Sequence, residues 1–302
     1  MFARAASAIA PTLVVAGATT VAALLLGAIG AVACLALGLV DAAAGATAGS
    51  VGVLTLARAG AGPNRARELE ALRGADALEI ALSHVDARQP VVVRRAAVRA
   101  AARILPGLAP HRLRDGAERL SAALERCRLS PDVVGDALQL LGDAAPAILP
   151  TLLGRRSPTV LRGALQAAGR CRSIALVHSV LHLASHPDAE VRAAAWRALR
   201  AIGALPPPGV DLVRGSMRDE HAFVRVHATR AACMLPASTA IEVLWGRLGD
   251  PSWWVRLAAA ESLRSLGPDG EASLAHASER HPDPFARDMA RHHAPAPRSA
   301  AS

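Results

Sequence analysis

The sequence predicts an all-α protein, an α-solenoid of stacked helical hairpins preceded by one transmembrane helix. Three observations predict it: a composition poor in sheet formers, a phrase that returns about every 31 residues, and a long uncharged run near the amino terminus. The chain has 302 residues, 52% hydrophobic but only 2% aromatic, with no Tyr, three Phe and four Trp. Ala, Leu and Arg favour helices, whereas sandwiches and barrels draw on β-branched and aromatic residues. The apolar content also excludes a disordered chain. All 34 basic residues are Arg, and against 25 acidic residues they leave a net charge of +9.

Residues 12–40 (TLVVAGATTVAALLLGAIGAVACLALGLV) form a run of 29 residues without a charge. A span needs about 20 apolar residues, so this run is long enough to cross a bilayer with tilt. A cleaved signal peptide or a buried soluble helix would be shorter or differently flanked, so an uncleaved anchor over 1–57 is the leading expectation. The weakly apolar residues 42–57 leave a two-span hairpin as a variant of it. Arg58, Arg65, Arg67 and Arg73 outweigh Arg4 on the other flank. The positive-inside bias then predicts a single-pass protein of a bacterial inner membrane with its carboxyl-terminal domain in the cytoplasm. Cys34, Cys127, Cys171 and Cys233 form no CxxC motif. A periplasmic disulfide would need pairs that exclude Cys34.

Residues 58–74 are expected to hold a linker (GAGPNRAR at 60–67) and the start of the first helix. Repeats follow over 75–293, and 294–302 reads as a disordered tail. The clearest copies are Pro187-Asp188-Ala189-Glu190-Val191-Arg192, running on to Gly203, and Asp250-Pro251-Ser252-Trp253-Trp254-Val255-Arg256, running on to Gly267. The arginine recurs at Arg162, Arg192, Arg225, Arg256 and Arg287, at intervals of 30, 33, 31 and 31. Arg94 keeps the frame upstream, and Gly135 stands in the arginine's place between them. A fixed period of this length with helical composition marks a helical-hairpin array. Pro and Asp at each start cap a first helix, small residues after Val-Arg allow close packing, and glycine ends it. Segments such as SIALVHSVLHLAS, TAIEVLWGRL and APAILPTLLG supply second helices with apolar residues at helical spacing. Residues 106–130 fit no repeat and read as an irregular insertion, and Pro206-Pro207-Pro208 reads as a rigid extended link.

The pattern D-P-x-x-x-V-R-x-x-A-A-x-x-L-x-x-L-G resembles the HEAT-like repeat of bacterial proteins, including the short variant named for phycobilisome lyases. The resemblance implies an α-solenoid with first helices on the convex face and second helices on the concave one. It also implies that Arg94, Arg162, Arg192, Arg225, Arg256 and Arg287 pair with an Asp or a carbonyl of a neighbouring repeat, and so are structural. Some HEAT-like proteins are bilin lyases or DNA glycosylases, which use Trp, Asp, Arg or Cys on the concave surface.

The candidate binding residues are basic and aromatic. Residues 88–128 hold ten Arg against Asp115, Glu118 and Glu125, and Arg95, Arg99 and Arg103 share one helical face. Such a patch suits an acidic protein, anionic lipid or nucleic acid, the last disfavoured by the membrane anchor. Trp245, Trp253 and Trp254 lie in the carboxyl-terminal half, and two adjacent Trp cannot both face one helix core. His178 and His182, four apart, form a weak metal pair without a third ligand in register. No P-loop, GxSxG or HExxH motif is present, and no cofactor is expected. The sequence therefore predicts a membrane-anchored, non-enzymatic scaffold or adaptor for a membrane- or envelope-associated protein. An enzyme of the lyase or glycosylase type and a basic nucleic-acid-binding solenoid are the alternatives.

Overall fold

A computed structural model describes residues 62–294, and every regular element among them is helical. The chain divides into two units, Met1–Ala71 and Leu72–Ser302. In the first unit, residues 62–71 are helical and carry an Arg65–Glu68 ion pair of 2.6 Å one turn apart. This corrects the expected linker over 62–67, while residues 60–61 lie outside the described residues. Pro63 in the opening turn followed by Ala, Arg, Glu and Leu is a sound helix start that its glycines masked. Among the described residues no helix is long and apolar enough to cross a membrane. The expected anchor over 1–57 and span over 12–40 lie outside them, as do residues 295–302 of the expected tail.

The second unit runs α1 (Ala77–Ser83), α2 (Val91–Ile104), α3 (Pro110–Cys127), α4 (Pro131–Leu138), α5 (Ala145–Leu153), α6 (Pro158–Cys171) and α7 (Val177–His182). It continues with α8 (Ala189–Ile202), α9 (Pro208–Ser216), α10 (Ala222–Ala231), α11 (Ala237–Arg247), α12 (Trp253–Ser265), α13 (Pro268–Arg280) and α14 (Pro284–His293). From α2 onward the even-numbered helices carry the repeated phrase and pack each on the next, forming a layer of first helices. The odd-numbered helices return antiparallel beside them as second helices.

Small residues set the spacing of the first layer. A Cβ on Gly169 of α6 would sit 3.2 Å from the Ala198 Cα of α8, and one on Gly163 would meet Val134 of α4 at 2.6 Å. Ala164, Ala168, Ala194, Ala195 and Ala198 are buried here, and Trp196 beside them is fully buried. Gly135, in the place of the motif arginine, is another close approach: its Cβ would lie 2.6 Å from Gln166.

Two expectations are corrected. The supposed irregular insertion at 106–130 is mostly α3, an 18-residue second helix that Pro110 starts, with Ala117, Leu120, Leu124 and Cys127 buried on one stripe. Second helices carry no repeated phrase, so repetition alone does not reveal them. Pro207 and Pro208 are not an extended link either; Pro207 has helical backbone angles (φ −47°, ψ −43°) and Pro208 opens α9.

The motif arginines clasp successive repeats. Arg192 donates from Nε and Nη2 to both carboxylate oxygens of Asp219 (2.8 and 3.0 Å), and from Nη1 to the His186 and Pro187 carbonyls (3.0 and 2.9 Å). Arg225 repeats this with Asp250 (3.0 and 2.9 Å) and with the Asp219 and Glu220 carbonyls (2.9 and 3.2 Å). Each aspartate also accepts an amide two residues on, His221 N–H at 2.9 Å and Ser252 N–H at 2.9 Å, fixing its own turn. These are bidentate, charge-assisted contacts, and the Asp250 side chain is 2% exposed.

The clasp is partial elsewhere. His186 and His281 occupy the aspartate's place, and each accepts the amide two residues on at Nδ1 (3.0 and 3.1 Å). Arg256, opposite His281, accordingly keeps only the carbonyl half, to Asp250 and Pro251 (2.9 and 3.2 Å), and Arg287 likewise bonds only the carbonyls of its own turn, His281 and Pro282 (2.7 and 3.1 Å). Arg162 turns to Glu190 at 3.3 Å, and Arg94 donates to the Cys127 and Arg128 carbonyls.

Asp250→Ala should therefore cost about 3 kcal/mol, because it strands the guanidinium of Arg225, whereas Arg256→Ala should cost about 1 kcal/mol. Unfolding curves of the two variants followed by circular dichroism check the order. Burial alone would raise the pKa of Asp219, but the Arg192 bonds and the His221 amide outweigh it and hold the carboxyl below its ordinary value of 3.8. Its contribution is then fully present above that value and lost as pH falls through the depressed one. Asp219→Asn should flatten the acid side of the stability profile below about pH 4, read from melting temperatures across pH.

Candidate functional site

The first turns of α10, α12 and α14 present Phe223, Trp254 and Phe285, each two residues before the motif arginine and spaced 31 apart. The neighbouring Val224, Val255 and Ala286 point into the stack and are fully buried, which turns the residue before each of them outward. Phe223 is 39% exposed, Trp254 and Phe285 65%, and Trp253 beside them 49%. The two indoles meet edge to face at 4.8 Å, the Arg256 guanidinium lies 5.5 Å from the Phe285 ring centre, and His221 meets Phe223 edge-on at 5.4 Å. Of the six aromatic Phe and Trp side chains among the described residues, four thus stand on one edge of three consecutive repeats. Large amphipathic rings held rigidly and exposed together are what a protein-binding hot spot requires.

Trp245 has a different position. It is half-buried between His276 and His281, with ring centres at 5.1 and 5.3 Å, and packs α11 against α13 and the next turn. It is part of the scaffold. Phe223 and Phe285 were not singled out from the sequence, although their 31-residue spacing from Trp254 is the signal that finds them.

Of the expected basic trio on α2, Arg95 is exposed while Arg99 and Arg103 are half-buried. The Arg99 Nε is enclosed without a hydrogen-bond partner. Further along the same stretch Arg94 is buried on carbonyls, and Arg119 is held by Glu79 and, at 3.8 Å, by Asp115. Of the ten arginines of residues 88–128, Arg94 and Arg119 are thus committed to local contacts, while Arg88, Arg95, Arg112, Arg114, Arg126 and Arg128 are exposed. His178 and His182 are exposed at a shallow groove with Leu181, Pro187 and Leu212, and His186 beside them has committed Nδ1 to the Asp188 amide. Among the described residues no group of three His, Cys, Asp or Glu could hold a metal ion.

The family comparison agrees with this architecture. The family model for HEAT repeats matches residues 145–232 and 210–294. Two engineered proteins known from crystal structures resemble the chain distantly. One is 18% identical, covering 71% of this chain and 93% of its own, with a TM-score of 0.40. The other is 18% identical, covering 71% of this chain and 66% of its own, with a TM-score of 0.41. No curated protein matches the chain. The repeats over residues 145–294 are HEAT repeats.

Proposed function

We propose that the protein is a membrane-tethered scaffold whose HEAT-repeat array binds another protein, acting by stoichiometric contact and without a chemical step. The observation that carries the reading is the edge formed by Phe223, Trp253, Trp254 and Phe285. An exposed cluster of this size on a monomer is costly in water unless a partner covers it. The HEAT-repeat architecture supports the same reading at a general level, since repeat arrays offer long surfaces for protein contact.

The tether rests on the uncharged run at 12–40, and the cytoplasmic placement of the array on the arginines that follow it. Tethering confines the array to the membrane surface and raises its effective concentration toward a partner there, so modest contacts suffice. A membrane- or envelope-associated protein of a bacterial inner membrane is the partner class that fits.

Crosslinking and affinity capture from detergent-solubilised membranes should recover one or two proteins in stoichiometric amounts with the full chain. Trp253→Ala with Trp254→Ala should weaken that association about 100-fold, the loss of two hot-spot anchors. Recovery equal to that of the unaltered protein would remove the aromatic edge as the binding site. Deleting residues 1–40 should move the protein from the membrane fraction to the supernatant, and continued sedimentation with membranes would remove the tether.

A further inference from the structure

The carboxyl-terminal ends of the first helices carry a second feature, separate from the aromatic edge. Between α6 and α8 an open groove of about 540 Å³ has Gly169, Ala198 and Ala201 along its floor and Arg170, Arg172 and Arg197 on its walls. Small residues on the floor let a backbone approach closely. Arg170 is fixed by Asp136 at 2.8 Å, while Arg172 and Arg197 are exposed and make no ion pair or side-chain hydrogen bond among the described residues. Arg172 closes α6 in the left-handed conformation (φ 50°), which throws its side chain off the helix end.

The positive character continues onto α10. Arg200 is exposed one turn after Arg197, and Arg230 lies nearby with a 3.3 Å contact to Glu261. Half-buried His227 gauges the local potential: burial first, then Arg197, Arg230 and Arg200, push it down to about 4. It is therefore neutral near pH 7, and the arginines alone carry the charge there.

We propose that this groove binds an acidic, extended segment of a partner protein, with Arg172 and Arg197 gripping carboxylates from either wall. Planar guanidinium groups match carboxylates in bidentate geometry, and two unpaired arginines across a small-residue floor are preorganised for it. The occupant comes from another chain. Outside the described residues the sequence offers Asp41 as its single acidic side chain. A single-stranded nucleic acid fits less well. No aromatic side chain lines the groove to stack a base. On α8 the groove residue Arg197 lies seven positions beyond Glu190, which holds the register of the aromatic edge, so its backbone is roughly 10 Å further along the helix axis.

Fluorescence anisotropy with the full chain in detergent and a fluorescein-labelled oligoglutamate tests the proposal. The expected result is saturable binding that weakens as salt rises and falls about tenfold in Arg172→Gln with Arg197→Gln. Arg95→Gln, outside the groove, and Trp253→Ala with Trp254→Ala, on the aromatic edge, should leave it unchanged. Both groove arginines are exposed, so the far-ultraviolet spectrum and melt should be retained; Arg197→Gln alone should shift affinity in the same direction. Equal affinity of the groove variant and the unaltered protein would overturn the proposal. So would absence of oligoglutamate binding, with or without groove-dependent binding of duplex DNA or phosphatidylserine vesicles. Because the aromatic-edge variant reads the other site, failure of the groove and failure of the scaffold reading are distinguishable.

Discussion

The bond between a motif arginine and the aspartate of the next repeat is the constraint on which the array depends. In Arg192–Asp219 and Arg225–Asp250 one guanidinium ties the carbonyls of its own turn to the carboxylate of the following turn, and that carboxylate caps a backbone amide in its own turn. A turn is thereby held from both sides. Taking such charges out of water is expensive, and the geometry offsets the cost because nearly every donor and acceptor is used. The hydrophobic seam of Ala and Gly supplies the attraction between neighbouring helices but little orientation, since small side chains slide easily past one another. Orientation comes from the clasp.

That division of labour frees the two ends of the first-helix layer for binding. Just before the clasp, the buried Val or Ala of each phrase forces the preceding residue outward, and in three repeats that residue is aromatic. The same clasp that fixes the turn therefore fixes the edge at Phe223 and Trp254, so these rings are positioned before a partner arrives. At the opposite end the Ala and Gly seam leaves a shallow floor, and arginines with no internal partner stand at its margins. An apolar edge and a cationic groove on one rigid layer suit a partner that offers an apolar knob and an acidic tail.

Much of this was legible in the sequence, and the misses have physical causes. The first helices declare themselves because the clasp demands Asp, Val and Arg at fixed spacing; the aspartates at 219 and 250, and the histidines that replace them at 186 and 281, can be read directly. Second helices answer to burial alone, so α3 passed for an irregular insertion although its apolar stripe is regular. Proline and glycine misled twice, at 62–63 and at 207–208, because the same residues that break helices also start them. The basic stretch 88–128 was read by net charge, which cannot say that Arg94 faces carbonyls and Arg119 faces Glu79. The exposed pair Trp253 and Trp254 was identifiable because adjacent positions on a helix diverge, whereas Trp245, alone in its helix, gave no hint of its packing between two histidines.

Hydrogen exchange of the full chain under native conditions tests the central claim most directly, because it reads the opening of each helix separately. If the clasp holds the array, amides of α8, α10 and α12, which flank the two complete clasps, exchange most slowly. Those of α6 and α14, where histidine replaces the aspartate at the adjoining joint, then exchange faster. Uniform protection from α6 to α14, or slowest exchange at the joints that lack the carboxylate, would show that packing of the small-residue seam alone holds the repeats.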